Sequence, residues 1–186
     1  HKSPEAIRQS GFDFGRRAAM EYGRGLRDCE SHFLKAYQLF HSIDDHEEMA
    51  RTALGLGSTY THIRGLRDLI KAREWYQTAL ANAQTDRTRA EALGSLALLE
   101  LQQLSEDGKS QISPTKEDRL DTAEGYARES LGLLPEEAHI SRAVTHAQLA
   151  RIAELRCDWT TARYHHQQAL DDVALHGGGV VAPFAP

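Results

Sequence analysis

The sequence predicts an all-α protein: an array of four helix–turn–helix repeats with about eight helices. Two observations predict this class. Four segments align without gaps and carry large and small residues at spacings of three, four and three, which places those side chains on one stripe of a helix. No proline occurs between residues 5 and 113, a span rich in Ala, Leu, Arg, Glu and Gln, and such a composition favours helix.

The four aligned segments are the predicted second helices of the repeats, at residues 25–37, 68–80, 119–131 and 158–170. Each has a large apolar residue at its second place, followed three residues later by a small one. The small residues are Cys29, Ala72, Ala123 and Ala162. Four residues further on the stripe continues with Phe33, Tyr76, Ala127 and His166. Small side chains let two helices approach to the short end of the usual separation of about 8–10 Å. We therefore expect the stripe to be buried, with Trp159 at the large position of the fourth segment in the core. Trp75, beside Tyr76, is expected in the core with part of its surface exposed.

The predicted first helices share a pair made of a large residue and a small one. The pairs are Phe14-Gly15, Leu56-Gly57, Leu93-Gly94 and Leu149-Ala150. Glycine inside a helix costs about 1 kcal/mol relative to alanine. Three of the four repeats carry it at this place, which predicts a close contact with a neighbouring backbone.

Together the two half-patterns resemble the tetratricopeptide repeat, whose first helix carries Leu-Gly-x-x-Tyr and whose second carries Ala-x-x-x-aromatic-x-x-Ala. The second repeat matches best, through Leu56, Gly57, Tyr60, Ala72, Tyr76 and Ala79. The resemblance covers residues 5–175 and implies a right-handed superhelix whose first helices line a concave face. The repeats depart from the family in lacking its first-helix Trp and in their variable loops, as in arrays found inside large bacterial regulators.

The predicted repeats lie near residues 5–41, 47–84, 87–135 and 138–175, within one domain at 1–176. Residues 105–119 are polar, with glycine and proline, and predict an inserted loop. Residues 177–186 begin with three glycines and continue as an apolar stretch, which predicts a flexible tail. This tail is a candidate for the groove of its own or a neighbouring chain, which would give self-association.

The resemblance implies a binding scaffold for a protein or an extended peptide. The family's groove places fall on Phe12, Arg16, Arg51, Leu54, Ser58, His62, Glu91, Ser95, Ala147 and Arg151. The three arginines would suit a partner with an acidic group, although simple solvation is an equal alternative for them. A second functional hypothesis is a sensory or regulatory domain of a larger signalling ATPase or transcription regulator.

Catalysis and metal binding are not predicted. His41 and His46 flank two aspartates, but this segment is better interpreted as a helix end followed by a capped acidic helix start. Cys29 occupies a packed small position, and Cys157 stands where the family usually has a turn glycine. No glycine-rich phosphate loop follows a predicted strand. We therefore expect no enzyme activity and no cofactor.

The charge balance argues against two classes of partner. With 22 Lys and Arg against 27 Asp and Glu, the net charge is −5, which gives no general attraction to nucleic acid or to anionic lipid. No stretch approaches the roughly 20 apolar residues of a spanning helix. Two cysteines without metal-type spacing are typical of a reducing compartment, so a cytoplasmic location is expected.

Overall fold

The computed structural model describes residues 3–106 and 115–177, and within these ranges it is entirely helical. The described helices are α1 (Pro4–Gly23), α2 (Cys29–His41), α3 (His46–His62), α4 (Leu69–Asn82), α5 (Asp86–Glu106), α6 (Lys116–Leu133), α7 (His139–Leu155) and α8 (Trp159–His176). The most extensive contacts join α1 to α2, α3 to α4, α5 to α6 and α7 to α8. Each pair then packs on the next through its second helix. The predicted all-α fold of about eight helices in consecutive pairs is confirmed.

Several helices begin at a side-chain cap that the sequence indicates, whereas α2 and α7 have no side-chain cap hydrogen bond. Asp68 Oδ1 accepts from the backbone N–H groups of Ile70 and Lys71 at 3.1 and 3.0 Å. Asp45 caps α3 in the same way: its Oδ1 accepts from the backbone N–H group of Glu48 at 3.4 Å. These bonds satisfy amide donors that have no partner inside a first helical turn.

The predicted insertion at 105–119 is too long at both ends. Helix α5 continues to Glu106 and α6 begins at Lys116. Thr115 and Asp118 form a capping box: Thr115 Oγ1 accepts from the Asp118 N–H at 3.1 Å, and the Thr115 N–H donates to Asp118 Oδ2 at 2.9 Å. This helix start was included in the loop because its residues are polar. Residues 107–114 lie outside the described residues, and so do residues 178–186 of the predicted tail.

The small-residue stripe forms the core of the first three helix pairs. Cys29, Ala72 and Ala123 are fully buried. Phe33 and Tyr76 follow them by four residues and are buried in the same cluster. Their burial follows from contact on two sides, with the first helix of the same pair and with that of the next.

In α8 the stripe prediction is correct for Ala162, which is buried, and wrong for two other places. Trp159, expected in the core, is 64% exposed, and His166 is exposed while its neighbour His165 is buried. The reason is that α3, α5 and α7 cover the outer faces of α2, α4 and α6, whereas no described helix follows α8.

The large position also fails in the first segment, where Leu26, in the turn before α2, is 46% exposed. Trp75 does contact the core, packing edge-on against Tyr37 with ring centroids 5.2 Å apart.

The prediction of a close contact at the aligned glycines holds in part at Gly57 and fails at Gly15 and Gly94. A Cβ on Gly57 would lie 2.4 Å from Cε1 of Tyr76, so the close neighbour is an aromatic ring and not a backbone. Gly94 has only ordinary contact, with Ser130 Oγ at 3.6 Å from the position of a Cβ, and Gly15 has nothing within 4 Å. The close approach in α1 belongs to Gly11, where a Cβ would lie 2.7 Å from the Phe40 ring.

Two features of the whole described chain bear on function. No described helix has both the length and the apolar content needed to cross a membrane. Cys157 stands in the turn between α7 and α8 with φ of 60°, the left-handed conformation for which glycine is favoured. The turn interpretation of this residue is therefore correct.

Candidate functional site

The first helices α3, α5 and α7 lie side by side and form a groove of about 340 Å³. The residues that line the groove are Leu54, Ser58, Ala90, Glu91, Gly94, Ser95, Leu98, Ser130, Leu134, Ile140, Ser141, Val144, Thr145 and Gln148. Most of them come from α5 and the first half of α7. The groove is therefore a product of stacking the repeats, because no single helix pair contains it.

The lining is mostly apolar, and three of its large side chains are exposed. Val144 is 54% exposed, and Ile140 and Leu98 are exposed beside it. Glu91 is the one acidic or basic residue among the described lining residues, and its carboxylate pairs with Arg87 at 3.2 Å. Apolar side chains gathered in a concavity offer an area that a partner can remove from water.

The hydroxyl groups of the lining are largely bonded within the protein. Ser95 Oγ donates to the Glu91 carbonyl at 2.8 Å, and Thr145 Oγ1 donates to the Ser141 carbonyl at 2.9 Å. Ser130 Oγ, on α6, donates to the Ala90 carbonyl at 2.9 Å. Each oxygen can still accept a bond from an incoming N–H group.

Gln148 provides the least satisfied polar group in the groove. Its Nε2 donates to the Gly94 carbonyl at 3.0 Å and joins α7 to α5. Gln148 is 7% exposed. Its Oε1 is buried and has no hydrogen-bond partner among the described residues. A buried acceptor without a donor costs about 1–3 kcal/mol. A ligand N–H group that reached this oxygen would recover part of that cost.

Four of the ten sequence-predicted groove residues line this groove: Leu54, Ser58, Glu91 and Ser95. The other six lie outside it. Phe12 packs against Phe40 with ring centroids 5.3 Å apart, and His62 bonds to the Tyr22 hydroxyl at 3.1 Å. Ala147 is exposed on α7 without facing the groove.

The three predicted arginines are each paired on their own helix. Arg16 pairs with Asp13, three residues before it in the chain. Arg51 pairs in the same way with Glu48, at 3.2 Å. Arg151 pairs with Glu154, also at 3.2 Å. These exposed cations are locally neutralised and are not among the groove-lining residues, which weakens the expectation of an acidic group on the partner.

Sequence reasoning missed Gln148, Ile140 and Leu134. The aligned repeats contain a signal for Gln148, because the residue before each large–small pair is Asp13, Gly55 or Ala92 in the other three. A long amide replaces short side chains only in the fourth repeat. Ile140 and Leu134 flank the turn between α6 and α7. The repeat register does not predict the direction of side chains there.

A second polar cluster joins α4, α5 and α6. The Glu100 carboxylate is 3% exposed and lies between the guanidinium groups of Arg73 and Arg119. Gln103 Oε1 accepts from both arginines, at 2.5 and 2.6 Å. Since the charged groups bond to one another across three helices, the cluster is part of the packing.

A third cluster lies between α7 and α8. His146 and His165 are 4% and 6% exposed, and their Nδ1 atoms are 3.0 Å apart, so that one donates to the other. Burial lowers the pKa of both imidazoles. Asp172 partly opposes this effect on the His146 pKa, while Arg142 reinforces it. For His165 the charges of His146 and of Arg128 on α6 lower the pKa further, and Glu124 opposes them.

The free energy of unfolding is expected to fall as the pH drops below about 6.5. The unfolded chain takes up protons there at the ordinary histidine pKa, while the buried pair resists protonation until lower pH, so acid favours unfolding. Urea unfolding of the wild type and of His146→Gln between pH 5 and 8 measures this dependence. The variant should show a shallower dependence, and His41→Gln, at an exposed position, should match the wild type. If the free energy of unfolding depends on pH equally in all three proteins, the buried His146–His165 pair is not the source of the dependence.

The described residues contain little that suits catalysis or a metal. Burial raises the pKa of the Cys29 thiol, which is the opposite of what a nucleophile needs. His46 Nδ1 bonds to Asn82 Oδ1 at 3.0 Å, away from the exposed His41. No group of three or more His, Cys, Asp or Glu side chains in the described part of the chain could hold a metal ion.

Comparison of the chain with protein-family models and with curated proteins found no match. The geometry of the groove is therefore the basis for a functional assignment.

Proposed function

We propose that this chain is a non-catalytic scaffold that binds an extended peptide, or an extended segment of a protein, in the groove between α3, α5 and α7. The observation that carries the proposal is the combination of exposed apolar side chains with the unpartnered Gln148 Oε1 in one concavity. An extended peptide supplies both of the groups that this groove lacks. Its side chains can cover Val144 and Ile140, and its backbone N–H groups can donate to Gln148.

The shape of the site favours a chain segment over a compact small molecule. The groove extends over α3, α5 and α7, and no single helix pair encloses it, so its length follows the direction in which the repeats stack. An array of this kind presents an extended surface to an extended ligand. We include membership of the tetratricopeptide class in the proposal, supported by the paired helices and by the Gly57–Tyr76 contact.

The absence of catalysis is also part of the proposal. It is supported by the chemistry of the described groove lining, where Glu91 pairs with Arg87 and no second acid, base or thiol converges on it. A cytoplasmic location is proposed on the two free thiols, one of them exposed at Cys157.

Val144→Glu is expected to weaken the binding of groove-selected peptides at least tenfold, about 1.4 kcal/mol or more. The substitution places a carboxylate in the apolar part of the groove, and the exposed position should tolerate it without loss of fold. The test is to select nonapeptides from a random display library on the wild-type chain. Fluorescence polarisation then gives their affinities for each variant.

Ile70→Glu is the matched control. It makes the same chemical change at a position that is 70% exposed on α4 and is not part of the groove lining. Its affinities should stay within twofold of the wild type. If no peptide is selected, or if the two variants behave alike, the proposed function is wrong.

A further inference from the structure

We propose that residues 178–186 of this chain bind in the groove of the same molecule and compete with its partner. This inference rests on the proposed function of the groove and specifies how that groove is regulated. Three independent features of the chain support it: the place where the described chain leaves α8, the length of the following segment, and the chemistry of its side chains.

The exit point lies at one end of the groove. His176, the last residue of α8, lines a shallow depression next to the groove. Leu134, Ile140 and Ser141 line both the depression and the groove, so the two surfaces are continuous. The chain therefore leaves its last described helix beside the apolar wall that a peptide would cover.

The segment is long enough to cross the groove. Nine residues follow Gly177 in the sequence, and in extended form they span about 30 Å. Two helix spacings, from α7 past α5 to α3, amount to about 16–20 Å. The segment can therefore cover the full width from Ile140 to Leu54, with several residues left for the turn out of α8.

The chemistry of the segment matches that of the groove. It begins with two glycines and continues as Val180-Val181-Ala182-Pro183-Phe184-Ala185-Pro186, without a charged side chain. Its valines and Phe184 suit the wall formed by Leu98, Ile140 and Val144. Glycine and proline disfavour a helix here, and proline reduces the entropy lost when an extended peptide is ordered. The N–H groups of the segment are donors of the kind that Gln148 Oε1 lacks.

The covalent connection makes even a weak contact effective. A short flexible link gives a tethered ligand an effective concentration of the order of millimolar. A partner that binds the groove must then displace the segment. Its apparent association constant equals the intrinsic constant multiplied by the fraction of molecules whose groove is free of the segment. The segment would thus set a threshold for partner binding.

The first experiment maps the contact in the chain of residues 1–186. Phe184 is replaced by the photoreactive p-benzoylphenylalanine, and the products of illumination are identified by mass spectrometry. The expected result is cross-links within one molecule to α5 and α7 side chains of the groove, among them Leu98, Ile140 or Val144. Cross-links between molecules, cross-links confined to other surfaces such as the outer face of α8, or no cross-links at all would overturn the proposal.

The second experiment measures competition with variants of residues 1–186. The probe is a fluorescent synthetic peptide with the sequence of residues 177–186. Phe184→Asp should bind this peptide at least fivefold more tightly than the wild type, because the weakened internal segment leaves the groove free. Gly178→Asp adds the same charge to the same segment outside its apolar part and should match the wild type. Equal affinity for Phe184→Asp and wild type would overturn the inference.

The two proposals fail in different ways. If library peptides bind and are sensitive to Val144→Glu, but Phe184→Asp leaves their affinity unchanged, the internal competitor is disproved and the groove remains a binding site. If Val144→Glu affects neither the library peptides nor the synthetic segment, both proposals fail.

Discussion

Glu100→Leu is expected to lower the free energy of unfolding by about 3–5 kcal/mol, as is typical when one partner of a buried ion pair is removed. The Glu100 carboxylate is nearly inaccessible and contacts the guanidinium groups of Arg73 and Arg119. Without it, two neighbouring positive charges face each other across α4, α5 and α6. Urea unfolding followed by circular dichroism measures the change.

Glu91→Leu is the control for this prediction. It makes the same substitution on the same helix, where the carboxylate pairs with Arg87 and is exposed. Exposed ion pairs contribute about 0–1 kcal/mol, so the stability should change by no more than that. If the two variants lose similar stability, the Glu100 cluster is not a packing element.

Gly57→Ala is expected to destabilise the protein by about 1–3 kcal/mol, the usual cost of overpacking. A Cβ on Gly57 would overlap the Tyr76 ring, which is buried and cannot swing into solvent. The ring and helix α4 would have to move away from α3. The measurement is the same urea titration.

Gly15→Ala should raise the free energy of unfolding, whereas Gly57→Ala should lower it. Gly15 occupies the aligned place in α1, but a Cβ there meets nothing within 4 Å. Alanine should then stabilise the helix by about 0.5–1 kcal/mol, because glycine loses more backbone freedom on folding. If both substitutions change the free energy of unfolding in the same direction, the close contact between Gly57 of α3 and Tyr76 of α4 is contradicted.

The fold could be predicted from the sequence because the repeated stripe encodes contacts that recur. Cys29, Ala72 and Ala123 hold the same place in three helices and are buried for the same physical reason. Trp159 and His166 hold aligned places as well, yet they are exposed, because burial depends on a following helix that the described chain does not supply. A pattern within one helix cannot reveal whether its neighbour is present.

The candidate site was predictable only in part for a related reason. Leu54, Ser58, Glu91 and Ser95 lie within their helices, where the repeat register predicts the direction of a side chain. The register is not sufficient, because Ala147 lies at the centre of α7 and does not line the groove. Ile140 and Leu134 lie beside a turn, where that register is lost. The prediction of the arginines rests on their charge, and the sequence does not show that Arg51 pairs with Glu48 on its own helix in preference to a ligand.

The pairing of these arginines within their helices also determines how a partner would arrive. Long-range attraction between opposite charges raises association rates and makes them sensitive to salt. Around this groove the exposed cations are screened by carboxylates three or four residues away in the same helix. Encounter is then governed by diffusion and orientation, with rate constants of about 10⁵–10⁷ M⁻¹s⁻¹. Affinity differences among partners would arise mainly from how slowly each one leaves.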